Sequence, residues 1–210
     1  MIEAQRDVFI SEVIKSMSLN KNIYFLSADF GAPALDELRE RFPNNFIHCG
    51  ICEQAMVDIS TGLALEGNIV FCYAMAPFLS LRCIEQIKCG PGLMSLPICI
   101  ISVGVGIGYA DAGPTHYTTE DYACLRSIPR TTVYTSSDSK ISKQIALNYL
   151  KKPHFSYVRL DRDSLPDLLE NNDNDIEEGY RVYGDINNNS LALISHGRMS
   201  HLCKEIVDEM

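Results

Sequence analysis

Hydrophobic positions fall into two rhythms that alternate along the chain. Short unbroken apolar runs mark strands: Ile23-Tyr24-Phe25-Leu26, Ile69-Val70-Phe71-Cys72-Tyr73, Ile98-Cys99-Ile100-Ile101-Ser102-Val103, Thr132-Val133-Tyr134-Thr135 and Phe155-Ser156-Tyr157-Val158-Arg159-Leu160. Runs without polar alternation suit strands covered on both faces, as in a parallel sheet. Between them, apolar residues recur at helical spacing: Val8, Phe9, Val13, Ile14 and Met17 early in the chain, then Cys52, Ala55, Met56, Ile59 and Leu63. Further helices are predicted over Leu35–Arg41, Phe78–Lys88 and 139–150, the first two stopped by Pro43-Asn44 and Gly90-Pro91-Gly92. This alternation predicts an α/β three-layer sandwich, a mostly parallel sheet flanked by helices, over residues 1–165.

Charge redraws the second half. Residues 161–178 hold eight acids against Arg162 alone, a local balance of −7 within a net charge of −9. With Asn171, Asn172 and Asn174 beside them, they predict a solvated acidic linker over 166–183. The remainder is close to neutral, and no basic patch interleaved with aromatics points to nucleic acid. Beyond the linker, Leu191–Gly197 reads as a strand and tight turn and Ser200–Met210 as a helix. One strand and one helix cannot close a core, so 184–210 is expected to be the opening of an incomplete further domain or a piece that packs on the main one. No apolar run approaches the ~20 residues of a membrane span, and Met1–Arg6 lacks a signal-peptide pattern. A cytoplasmic protein without membrane association is expected.

The eight cysteines mostly lie in apolar runs. Cys49 and Cys52 form a C-x-x-C, but no second pair completes a zinc site, so no metal site is expected from these residues. A redox pair at a helix N-terminus is one reading of them; buried reduced thiols are the reading adopted. Gly104-Val105-Gly106-Ile107-Gly108 imitates a dinucleotide fingerprint, yet no helix follows it directly and Pro114 breaks the chain.

The candidate chemistry centres on Glu53. An acid in the first turn of a helix is commonplace, because it complements the helix dipole. Its neighbourhood is more telling. Gly50-Ile51-Cys52-Glu53-Gln54-Ala55-Met56 with Gly62-Leu63-Ala64, then Arg82-Cys83-Ile84-Glu85-Gln86-Ile87, then Gly113-Pro114-Thr115-His116 with Glu120-Asp121 and Leu125-Arg126-Ser127-Ile128-Pro129 stand in order along the chain. Together they resemble the pyrimidine-binding domain of the transketolase group of thiamine-diphosphate enzymes, over about residues 20–165.

That resemblance implies a cofactor, thiamine diphosphate, whose 4-aminopyrimidine ring must adopt an imino tautomer to form the ylid. The protein's part is to bind, orient and tune it. Glu53 is assigned the carboxyl group that promotes that tautomer through the far ring nitrogen. Its sequence neighbours Ile51, Cys52, Ala55 and Met56 offer no cation, so burial is expected to outweigh the helix dipole and favour the protonated acid. Asp29, Met75 and Phe78 are assigned to the cofactor, with Phe78 as the stacking aromatic. His116, catalytic and substrate-binding, matches a histidine near the sugar hydroxyls. Arg159 and Arg162 match arginines near a substrate phosphate, and internal ion pairs with Asp161 or Asp163 are the other reading of both.

At the sugar end two departures stand out. Ala112 occupies the place of an aspartate, which Asp111 is expected to replace one residue away, and Gly104 stands near the place of another histidine. The resemblance further implies a diphosphate-binding domain that also holds Mg²⁺, marked by G-D-G and a later N. Gly184-Asp185, followed at once by Asn187-Asn188-Asn189, reads as a turn instead. A separate subunit is therefore expected to carry that domain, around a homodimer core or in a heterotetramer, with a phosphorylated or activated sugar as substrate. The function expected is that of the pyrimidine-binding subunit of a split transketolase-like enzyme. Alternatives are the β subunit of a 2-oxoacid dehydrogenase, a deoxyxylulose-phosphate synthase fragment, or a non-catalytic subunit.

Overall fold

The computed structural model describes residues 2–28, 33–168, 179–183 and 191–209. Six strands form one sheet: β1 Ile23–Ser27, β2 Phe46–His48, β3 Ile69–Met75, β4 Ile98–Val103, β5 Thr132–Thr135 and β6 Ser156–Leu160. Every pairing is parallel and the order is β2-β1-β3-β4-β6-β5. Parallel strands need covered crossovers, and the helices supply them: α1 Gln5–Met17, α2 Asp36–Arg41, α3 Glu53–Leu65, α4 Ala76–Leu79, α5 Ile84–Ile87, α6 Asp121–Arg126 and α7 Ser139–Lys151. A last helix, α8 Met199–Glu209, lies near the end of the chain. No described helix is long and apolar enough to cross a membrane.

Strand alternation divides the core in two. On one face Phe25, Phe71, Tyr73, Ile101 and Val158 meet Phe9 and Val13 of α1 and Ile145 and Tyr149 of α7. On the other, Leu26, Val70, Cys72, Ile100 and Tyr157 meet Met56 and Val57 of α3, Leu79 of α4 and Ile87 of α5. All six β4 residues are buried, which is why that run reads as continuously apolar. Three layers result, as the pattern predicts.

Two predicted elements differ. The helix expected over Phe78–Lys88 is broken into α4, a turn through Leu81–Cys83, α5 and a π turn at Lys88–Gly92. Ser80 Oγ turns back to the Ala76 carbonyl at 2.5 Å, a contact that competes with straight helix. Gly90 in the π turn lies against α3, where an added Cβ would sit 2.4 Å from Thr61 Oγ1. The strand expected at Leu191–Ile194 is not seen: the run joins no ladder among the described residues, and Leu191, Leu193 and Ile194 are exposed. A strand exists only through its partners. The acidic linker falls largely on 169–178, and Gly184-Asp185 on 184–190; both stretches lie outside the described residues.

The end of the chain rests on the main domain. Arg198 donates to both carboxylate oxygens of Asp161 at 2.9 and 2.6 Å and to Asp163 at 2.5 Å. His201 Nε2 lies 2.9 Å from the Ser137 carbonyl, and the His196 ring stacks on Tyr122.

Candidate active site at the carboxyl ends of the strands

An all-parallel sheet gathers the ends of its strands on one edge, where open α/β sheets place their sites. The loop after β2 leads through Gly50, in the left-handed region at φ +69°, into α3. It delivers Glu53 in the first turn, 2% exposed. Met75 ends β3, and Phe78 follows in α4. The glycine loop after β4 carries Tyr109, Asp111 and His116, and the chain leaving β6 carries Arg162.

These residues form one row. Arg82 Nη1 donates to Glu53 Oε2 at 2.8 Å, and the same guanidinium lies 4.4 Å from the Phe78 ring centroid. Phe78 meets His116 edge to face at 5.2 Å, and His116 meets Tyr109 at 6.3 Å. Arg162 lies over the Tyr109 ring at 4.7 Å and pairs with Asp111. That guanidinium holds the exposed Asp111 carboxyl below the usual range, chiefly through its hydrogen bond. Thus Glu53, Phe78, His116, Asp111 and Arg162, far apart in sequence, share one edge of the sheet. Met75 stands three residues before Phe78. Asp29 lies outside the described residues.

One premise about Glu53 is overturned. A cation does reach it, Arg82, 29 residues downstream. Inspecting neighbours in sequence misses it because the break between α4 and α5 carries Arg82 back toward α3, where Gln54 Nε2 also holds the Arg82 carbonyl at 3.1 Å.

Arg159 does not join the row. Its Nε and Nη2 donate to the two oxygens of Asp121 at 2.8 and 3.2 Å, and Tyr157 Oη donates to the same carboxylate at 2.6 Å. Asp121 is fully buried and Arg159 nearly so. The acids expected beside the two arginines, Asp161 and Asp163, are instead taken by Arg198, while Arg162 turns to Asp111.

Sequence reasoning also missed Tyr109. Gly104 has φ +78°, and a Cβ there would lie 2.1 Å from the Tyr109 ring. The ring fills the space a side chain at 104 would claim, so the glycine and the tyrosine are one feature. Their spacing in the sequence does not announce the contact; only the folded loop brings ring and glycine together.

The cysteines carry no comparable arrangement. Burial pushes the Cys72 and Cys83 thiols up to about 12 and Cys99 well above its ordinary value, the opposite of what a reactive thiolate needs. Cys49 is half-buried and raised, while Cys52 is exposed. Among the described residues, no group of three or more His, Cys, Asp or Glu side chains gathers as a metal site.

The cofactor implied by the resemblance can be tested against this geometry. The contacts it requires are a carboxylate at a ring edge and an aromatic under a ring face. Both stand within reach of a single planar N–H-bearing group, since one guanidinium touches Glu53 and Phe78 together. An aminopyrimidine is likewise planar, and its far ring nitrogen can share a proton with a carboxyl, so the residues fit it.

The chain is 31% identical to a subunit of the apulose-4-phosphate transketolase of Phocaeicola vulgatus over 171 residues, 81% of this chain and 55% of that protein. It is 27% identical to the 6-deoxy-6-sulfo-D-fructose transketolase subunit SqwH of a Clostridium species, covering 74% of this chain and 48% of that one. The chain thus spans about half the length of these relatives. Among solved structures, one described as a split gene transketolase, inactive beta4 tetramer, superposes with a TM-score of 0.70 at 24% identity, over 79% of this chain and 54% of the other. Residues 4–167 match the family described as transketolase, pyrimidine binding domain, and the chain belongs to that family.

Proposed function

We propose that this chain is the pyrimidine-binding subunit of a thiamine-diphosphate-dependent, transketolase-like transferase that moves a two-carbon ketol unit between sugars. The observation that carries this is the enclosed Glu53 carboxylate beside Phe78, at the head of a row that ends in Arg162. Bound thiamine diphosphate supplies a carbon nucleophile and an electron sink.

The chain's own residues do the rest. Glu53 holds a proton at the far ring nitrogen, a task that needs a carboxyl shielded from water. Phe78 provides a face for the ring, worth roughly 0.5–1.5 kcal/mol beyond the area it buries. His116, seated between Phe78 and Tyr109, is assigned to a sugar hydroxyl, where it can hold or pass a proton. Arg162 offers a guanidinium fork to an anionic sugar terminus. The names of the two relatives, one carrying a phosphate and one a sulfo group, support an anion at that end. Arg159, enclosed with Asp121 and Tyr157, holds β6 to α6 and is structural in this reading.

The diphosphate and Mg²⁺ fall to a partner subunit, with the active site between the two. Support comes from the relatives named as subunits and from the β tetramer of the same fold, described as inactive. The direct test is Glu53→Gln, assayed with the partner subunit present. The substitution keeps the shape and removes the exchangeable proton, so turnover is expected to vanish while the circular dichroism and melting of the chain persist. Turnover near wild type would leave the chain as a subunit that merely shapes its partner.

A further inference from the structure

We infer that Arg82 is a place-holder that competes with the cofactor's ring for the same seat. The inference rests on the assignment of Glu53 and Phe78 to the ring and adds a residue to it. A pyrimidine so bound must share a proton with the Glu53 carboxyl at its edge and lie on Phe78 with its face. The Arg82 guanidinium fills both places. It is planar, it donates to Glu53 Oε2 at 2.8 Å, and it stands 4.4 Å from the Phe78 centroid. Guanidinium groups stack on aromatic faces and match carboxylates edge-on, so the mimicry is chemical as well as positional.

The surroundings show how the contact can be released. Glu53 is enclosed, but the Arg82 side chain is 43% exposed, so its charge can turn into water. The backbone at Arg82 is tethered through Gln54, which lets the side chain leave while the turn stays. A buried carboxylate left without a partner is costly. Arg82 meets that need until a ring shares a proton with Glu53 in its place, and the two groups exclude one another at Oε2 and over Phe78. Binding therefore carries the cost of displacing Arg82, and the apparent affinity falls by the fraction of chains in which the seat is open.

The test measures thiamine diphosphate binding, with Mg²⁺, by calorimetry on the complex of this chain with its diphosphate-binding partner. Arg82→Ala is expected to tighten binding by about five- to tenfold relative to wild type. Arg82→Lys, which keeps the charge without the plane, is expected to fall between them. A second readout needs no variant: phenylglyoxal modification of Arg82, followed by peptide mass, is expected to quicken several-fold when thiamine diphosphate is added to the wild-type complex. Unchanged or weaker binding in Arg82→Ala, or modification no faster with cofactor, overturns the inference. The Glu53→Gln complex separates the two failures. If Glu53→Gln keeps wild-type turnover, the seat itself is wrong; if it loses turnover while Arg82→Ala gains no affinity, only the place-holder is.

Discussion

Two arginine–carboxylate pairs on this molecule look alike in outline and differ in build. Asp121 is wholly enclosed, takes three hydrogen bonds from Arg159 and Tyr157, and its arginine is 8% exposed. Glu53 is enclosed almost as well, but its arginine donates from a side chain 43% exposed. The first pair has no route to exchange and ties α6 to β6. The second keeps one partner at the water's edge, which is what a site needs if another group is to take that partner's place. Burial of the carboxylate alone therefore does not tell the two pairs apart; the exposure of what faces it does.

The contrast between the pairs is sharpest under mutation. Asp121→Asn strands a buried guanidinium, and by the usual cost of opening a buried pair it is expected to lower stability by about 3–5 kcal/mol. Arg82→Ala also leaves an enclosed carboxylate without its partner, but the side chain removed was 43% exposed and its loss opens Glu53 to water, so this variant is expected to lose the less of the two. Urea midpoints of the two variants measure the contrast directly. Equal losses would mean that the Glu53 pair is as structural as the other.

In the loop after β4, Gly104→Ala drives a methyl group into the Tyr109 ring in a left-handed backbone. Overpacking of this kind is expected to cost about 1–3 kcal/mol, recovered in large part by Tyr109→Ala in the same chain. If the double variant is no more stable than Gly104→Ala alone, the ring is not what holds position 104 to glycine. Arg162→Ala is expected to raise KM for a phosphorylated sugar about tenfold with little change in kcat, as loss of a charge-assisted hydrogen bond predicts. The matching change at Arg159 is expected to show as lost stability instead, so the split between KM and melting temperature separates the two arginines.

The smallest effect is a titration. Arg162 holds the Asp111 carboxyl below its ordinary range. A depressed folded-state value means the pair is intact above the ordinary carboxylate range and is lost as pH falls through the depressed value. The Asp111 carboxyl signal in carbon-detected NMR is expected to titrate below that of an aspartate in an unfolded peptide, and to return to it in Arg162→Ala. An unshifted midpoint in the wild type would detach Asp111 from Arg162.

Much of this could be read from the sequence, for a physical reason. Strands buried on both faces have no polar positions to hide their pattern, so β1, β3, β4 and β6 stand out. Parallel order then gathers Glu53, Phe78, His116 and Arg162 on one edge without any knowledge of the loops. What escaped depends on tertiary contact. The break at Ser80 lies in a stretch with helical spacing, and Arg82 reaches Glu53 only because of it. Tyr109 and Gly104 are legible as a pair only once the loop folds. Leu191–Ile194 has strand composition, yet composition cannot supply a neighbouring strand.

Both the catalytic assignment and the place-holder turn on what occupies Oε2 of Glu53. A crystal structure of the complex with thiamine diphosphate and Mg²⁺ measures it. The expected result is the pyrimidine edge within hydrogen-bond distance of Glu53, its face on Phe78, and the Arg82 side chain turned away. A structure with the cofactor bound while Arg82 still holds Glu53 would contradict it.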